Sequence, residues 1–192
     1  MSNKFTYQVL RDTNTELIVK LTGVFDGSGQ EANNTRIAAN SLYGALDANN
    51  VPLRSGLSLS NTPLNYYDLQ MTGLKYYVNM PTSNTGSGLG TVEVFWNGGP
   101  VGGTAAAQYA NSATIFHLNS AGEFGLGEQL PAIMNNSTGN PAGDIGVYTS
   151  GATANCSYTL VMAFRKNNAM YQRGQFNDPA AFNYGPNYSL RP

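Results

Sequence analysis

Apolar positions along the chain come in short alternating runs, and nowhere do they sustain the three-to-four-residue spacing of an amphipathic helix. The clearest run is Glu16-Leu17-Ile18-Val19-Lys20-Leu21-Thr22-Gly23-Val24-Phe25, which is rich in β-branched residues and closes at Asp26-Gly27-Ser28-Gly29, a strong turn sequence. It predicts a strand. Comparable runs cover residues 57–59, 69–80, 91–96, 114–118, 145–149 and 157–165, with clusters of Gly, Asn, Pro and Ser between them. The best helical stretch, residues 34–50, is interrupted by turn formers and predicts at most one short helix. Many short strands joined by uncharged turns predict an all-β fold over residues 1–166: an antiparallel two-layer β-sandwich, jelly-roll-like. Alternation within residues 91–96 sets Val92, Val94 and Trp96 on one face, opposite Thr91, Glu93 and Phe95. Trp96 is therefore expected as a core anchor rather than a platform for stacking a sugar.

Strand patterning stops at Asn167. Residues 167–192 contain three prolines and two glycines, which oppose regular structure, yet Tyr171, Phe176, Phe182, Tyr184 and Tyr188 are too apolar for a solvated linker. The pattern predicts an extended C-terminal arm that lies against protein. It packs on its own domain, reaches across a neighbouring subunit, or is disordered, and those five aromatic residues are the candidate interface.

Composition narrows the functions such a domain can serve. Asp, Glu, Lys and Arg together make up 11% of the 192 residues, against about 25% in an ordinary soluble domain. Polarity comes instead from Asn, Gly, Ser and Thr, while 41% hydrophobic residues provide for a real core. A net charge of −1 provides no field to hold phosphates or anionic lipid, so free nucleic acid is a poor ligand. No apolar run approaches the roughly 18 residues needed to span a bilayer, and a membrane role is not expected. The first residues lack a basic segment leading into an apolar one, which predicts synthesis in the cytoplasm without an export signal.

Few residues suggest chemistry. His117 is the only histidine, which rules out a multi-histidine metal centre within one chain, and it sits in a strand-like run. The lone Cys156 stands at a strand entrance and is expected to be a packed thiol. Glu123 and Glu128 flank a Gly-rich segment and would suit glycoside hydrolysis only if they converged in a cleft; solvent-facing carboxylates beside a loop are expected. Gly86-Ser87-Gly88-Leu89-Gly90 mimics part of a nucleotide loop. A phosphate loop must open a helix, however, and residues 91–96 are strand-like, so a hairpin loop is expected. Asp26 has no second acid nearby for a calcium cage and is read as turn chemistry. Asn33, Asn136 and Asn155 begin glycan acceptor triplets that matter only to a chain entering a secretory route. No cofactor and no catalysis are expected.

Three blocks in order resemble a family. Residues 16–29, ending in the Asp-Gly turn, look like the opening strand of small virion structural proteins from tailed bacteriophages, including phages of marine bacteria and cyanobacteria. Residues 69–80 followed by Thr91-Val92-Glu93-Val94-Phe95-Trp96-Asn97-Gly98 are similar to that family's middle hairpin ending in a Trp. Residues 143–151, beginning Gly143-Asp144-Ile145, and 157–166 resemble its terminal Gly-Asp-Ile strand and its closing hydrophobic strand with a basic end. The resemblance spans roughly residues 5–166, and the long aromatic tail departs from it.

What the resemblance implies is a noncatalytic capsid decoration or cement protein on the surface of the virion. Its partners would be the major capsid protein or other virion proteins, and its own copies would form a homo-oligomer, with a trimer favoured. It transfers no functional residue. The alternative is a tail, neck or fibre module that binds a host surface carbohydrate through exposed aromatic rings and Asn side chains.

Overall fold

The computed structural model describes residues 2–31, 34–45, 69–80, 90–97, 112–125 and 144–166. They form nine strands: β1 (Lys4–Asp12), β2 (Glu16–Val24), β3 (Asn34–Ile37), β4 (Gln70–Asn79), β5 (Thr91–Trp96), β6 (Ala113–Leu118), β7 (Ala121–Phe124), β8 (Ile145–Ser150) and β9 (Ser157–Arg165). The described residues of the 34–50 stretch, 34–45, form no α-helix. Among the described part of that stretch lie β3 and a single 3-10 turn, Ala39–Ser41. Residues 57–59 and the arm, 167–192, lie outside the described residues.

The strands assemble into two sheets, β1-β2-β9-β4-β7 and β3-β8-β5-β6, and every pairing is antiparallel. Four of the pairings nest inside one another: β2 with β9, β3 with β8, β4 with β7, and β5 with β6. The chain is thus a long two-stranded ribbon doubled back between β5 and β6. Winding that ribbon around a core adds the contacts β9 to β4 and β8 to β5. That is the jelly-roll topology, with β1 appended to the free edge of β2.

One expectation fails here. Residues 69–80 and 91–98 do not make a hairpin, because β4 pairs with β7 and β9 whereas β5 pairs with β6 and β8. The connection that ends at Gly90 therefore passes from one sheet to the other. Both strands alternate in the way a hairpin requires, but their buried rows face each other across the core instead of lying side by side.

That core follows from period-two alternation. Leu17, Val19 and Leu21 of β2, Leu160, Met162 and Phe164 of β9, and Met71, Leu74 and Val78 of β4 form the inner face of the larger sheet. Opposite them stand Val92, Val94 and Trp96 of β5, Ile145 and Val147 of β8, and Leu118 of β6. Trp96 is fully buried, with its ring 6.3 Å from that of Phe164 in an edge-on arrangement, so the indole bridges the two sheets. Phe116 of β6 meets Phe124 of β7 at 5.4 Å where the sheet edges come together. β5 is covered on both faces: Phe95 and Glu93, on the side away from Trp96, are also buried.

Glycines within strands make room for rings on the neighbouring strand. Gly23 lies opposite Tyr158, Gly122 opposite Tyr76 and Gly146 opposite Phe95, and in each pair a Cβ on the glycine would run into the aromatic ring. The ring covers the surface that the glycine leaves bare, an exchange that offsets part of glycine's weakness in a strand. Gly146→Ala is accordingly expected to destabilise the fold by about 1–3 kcal/mol. Phe95→Leu in the same chain should recover part of the loss, as read from urea unfolding midpoints. An additive double variant would show that the ring is not what Gly146 accommodates.

Candidate functional site

Two buried polar clusters pin the ends of the sandwich. In the first, the carboxylate of Glu31 accepts a hydrogen bond from Tyr158 Oη at 2.6 Å and pairs with Arg36 Nε. The Glu31 backbone exchanges bonds with Thr149, whose N–H donates to the Glu31 carbonyl at 2.9 Å and whose hydroxyl accepts from the Glu31 N–H at 2.8 Å. Gln30 clamps the same loop by bonding both the N–H and the carbonyl of Ala152. The Arg36 guanidinium lies 4.6 Å over the ring of Phe5, and Phe5 in turn packs on Phe25. Burial pushes the Glu31 carboxyl above the ordinary range, while the Tyr158 hydroxyl and Arg36 pull it back. Burial, followed by the nearby Glu31 charge, raises the Tyr158 phenol. The cluster ties β1, β3, β8 and β9 together, and all its strong acceptors are occupied from within the protein.

The second cluster holds the point where the arm begins. Lys166, the residue after β9, is buried; its ammonium pairs with Asp12 Oδ1 and donates to the Tyr43 carbonyl at 2.8 Å. The other carboxylate oxygen of Asp12 accepts from the Tyr43 N–H at 2.9 Å, and the Lys166 N–H donates to the Thr15 carbonyl at 2.9 Å. Burial pulls the Lys166 ammonium below the usual lysine range against the opposing pull of Asp12. Lys166 is therefore held at a fixed position beside the end of β1. The five aromatic residues assigned to its interface, Tyr171, Phe176, Phe182, Tyr184 and Tyr188, lie outside the described residues.

The other singled-out residues fall as follows. His117 is exposed on β6, opposite Glu93 of β5, and Glu93 instead takes a hydrogen bond from the Thr114 hydroxyl. Glu123 is exposed on β7 opposite Lys75, and Glu128 lies outside the described residues, so the structure brings no second carboxylate to Glu123 within the part described. Cys156 is a buried free thiol whose sulfur accepts from the Thr153 N–H at 3.2 Å. Asp26 is turn chemistry: its Oδ1 accepts from the Ser28 N–H at 2.9 Å, and the Ser28 side chain first, then this backbone bond, hold its carboxyl below the ordinary range. Residues 86–89, Asn33 and Asn136 lie outside the described residues, while Asn155 occupies a left-handed turn (φ 68°) beside Cys156. Among the described residues, no three His, Cys, Asp or Glu side chains converge as metal ligands, and no helix is long and apolar enough to cross a membrane.

Sequence reasoning missed both polar clusters, and the outer face of the larger sheet with them. That face is the row set complementary to the core. It carries Lys4, Thr6, Gln8 and Arg11 of β1, Ile18, Lys20, Thr22 and Val24 of β2, Thr159, Val161 and Arg165 of β9, and Lys75 and Tyr77 of β4. Tyr77 is 58% exposed and Val24 51%, both large apolar groups left open to solvent.

The class of protein these features define is an all-β, jelly-roll β-sandwich. The chain matches no protein-family model and no curated protein sequence. Among solved structures, a chain from the single-particle structure of maize chlorotic mottle virus is similar at 13% identity, over 91% of this chain and 98% of that one, with a TM-score of 0.21. Backbones with so low a score do not superpose as one fold, and no role follows from the likeness.

Asp144 provides a pH-dependent test of one end of the smaller sheet, where β3, β8 and β5 meet. Its carboxylate accepts from the Ala39 N–H at 2.8 Å, its carbonyl accepts from the Asn97 N–H at 2.9 Å, and burial raises its pKa to about 6. The folded state thus holds this proton more tightly than the unfolded chain, so the Asp144 contribution is greatest below pH about 4 and falls as pH rises through about 6. Relative to Asp144→Asn, the native chain is expected to lose about 1–2 kcal/mol of stability between pH 4 and pH 7. Urea unfolding of both proteins across that range reads the difference, and a pH-independent gap would contradict it.

Proposed function

We propose that this protein is a noncatalytic structural component of a tailed-phage particle, a capsid decoration or cement protein that binds the shell and copies of itself. Three things support the reading. The jelly roll is a topology used by viral shell proteins and lectins, although a fold alone does not fix a function. Ordered blocks at residues 16–29, 69–98 and 143–166 resemble small phage virion proteins. Finally, the buried polar groups of the two clusters are engaged with one another, which suits a body that works through its exterior.

The observation that carries the proposal is the anchoring of Lys166. A buried ion pair and two backbone bonds fix the start of an aromatic, proline-punctuated segment at one place on the sandwich. An arm rooted in this way delivers its side chains to a neighbour at a high effective concentration, and on a symmetric lattice such contacts multiply. Tyr is suited to them because it contributes a large contact area with few rotatable bonds.

A carbohydrate-binding tail, neck or fibre module is the second reading. The open ring of Tyr77 on a flat sheet is the observation that favours it. Saturable binding of glycans by the full chain, with antibody label on tails rather than heads, would select that reading over the first.

Removing residues 167–192 is expected to leave the sandwich folded, with the sheet signature in circular dichroism unchanged. Co-sedimentation with purified particles should fall at least tenfold. Equal retention of truncated and intact protein would refute the arm's role.

A further inference from the structure

The outer face of the larger sheet concentrates the basic charge of the described residues. Lys4, Arg11, Lys20, Lys75 and Arg165 all project from it, and among the described acids only the carboxylates of Glu16 and Glu123 accompany them. The remaining described cations, Arg36 and Lys166, are engaged elsewhere in the ion pairs with Glu31 and Asp12. The remaining described acids, Asp12, Asp26, Glu31, Glu93 and Asp144, lie off this face. A chain with a net charge of −1 thus presents one face with a clear positive excess. Among the described residues, the ion pair on that face is Arg11 with Glu16 at 3.1 Å, and Arg165 donates to Gln70 Oε1 at 2.6 Å and 3.1 Å.

Between the charges the face is uncharged and densely β-branched. Register aligns Thr6, Thr22, Thr159 and Tyr77 in one row across four strands, and Gln8, Lys20, Val161 and Lys75 in the next. Strands about 4.8 Å apart and about 30 Å long give this face about 600 Å² of projected area. A standard protein interface buries roughly 800 Å² per partner, so the face is of the right order for one.

We infer that this face is a docking surface for an acidic protein surface. Charge complementarity names the partner's sign. The small size of the excess names its class: nucleic-acid affinity is built from many phosphate contacts, whereas this face offers five basic side chains, of which Arg11 and Arg165 are already engaged. An exposed Tyr and Arg amid uncharged Thr and Val is a composition that protein interfaces favour. The inference adds to the proposed particle role but rests on the sheet alone.

The test uses the full chain and a 20-residue glutamate peptide as the acidic probe, with a 20-base-pair DNA duplex and vesicles containing 30% phosphatidylglycerol as comparators. Titration in 50 mM salt should show binding of the peptide that weakens at least threefold at 300 mM salt. Amide shifts should centre on Thr22, Lys75, Tyr77, Thr159 and Val161. Lys4→Glu/Lys20→Glu/Lys75→Glu should weaken binding at least tenfold. Should that variant not fold, Lys20→Thr/Lys75→Thr, which keeps strand-forming residues, should still weaken it severalfold. Absence of binding, shifts on another face, affinity unchanged in the variants, or tighter binding of DNA or vesicles through the same residues would each overturn the inference. A protein missing from particles that still binds the peptide in this way loses the particle role and keeps the docking face.

Discussion

The structure depends on one constraint, the nested antiparallel pairing that turns a single chain into a doubled ribbon. β9 is its keystone. It bonds to β2 along one side and to β4 along the other, over nearly its whole length, and presents Tyr158, Leu160, Met162 and Phe164 to the interior. A slip of one residue in either register would turn that apolar row outward and Thr159, Val161 and Arg165 inward, so the core and the outer face are specified by the same alternation. Because the first strands of the ribbon pair with the last, no part of the core is complete until the chain through residue 165 is in place.

The polar clusters act where the ribbon's ends meet. Glu31 with Tyr158 and Lys166 with Asp12 join segments far apart in the chain, and their partners leave few unsatisfied groups at the margins of the core. Such pairs favour a unique arrangement more than they add net stability, since removing charge from water offsets much of the attraction. Their placement fixes the end of β9, while the outer face of the same sheet carries the basic and Thr-rich rows.

Much of the fold was legible in the sequence, for a physical reason. β2, β4, β5, β6, β8 and β9 have one buried face or two, and burial writes itself as alternation or as an apolar run. β1 was not legible because it is an edge strand exposed on most positions, so Lys4–Asp12 carries no clean period. β3 and β7 have four residues each, too few for a pattern. The false hairpin between β4 and β5 shows the limit of local pattern: alternation reveals that a strand has an inner face, but not which strand lies beside it. The same limit hid the basic face. Lys20, Lys75 and Arg165 are distant in sequence, and only register brings them onto one surface. The pairing of Lys166 with Asp12 joins residues at opposite ends of the sandwich sequence, a contact that no spacing rule provides.

The buried polar clusters, the fixed position of Lys166 and the basic β-rich face support the proposal that the protein acts by attaching to other proteins, as a building part of a phage head. Quantitative mass spectrometry of purified particles tests that claim most directly. The account predicts hundreds of copies per particle, in fixed ratio to the major capsid protein. A handful of copies, or none, would contradict it.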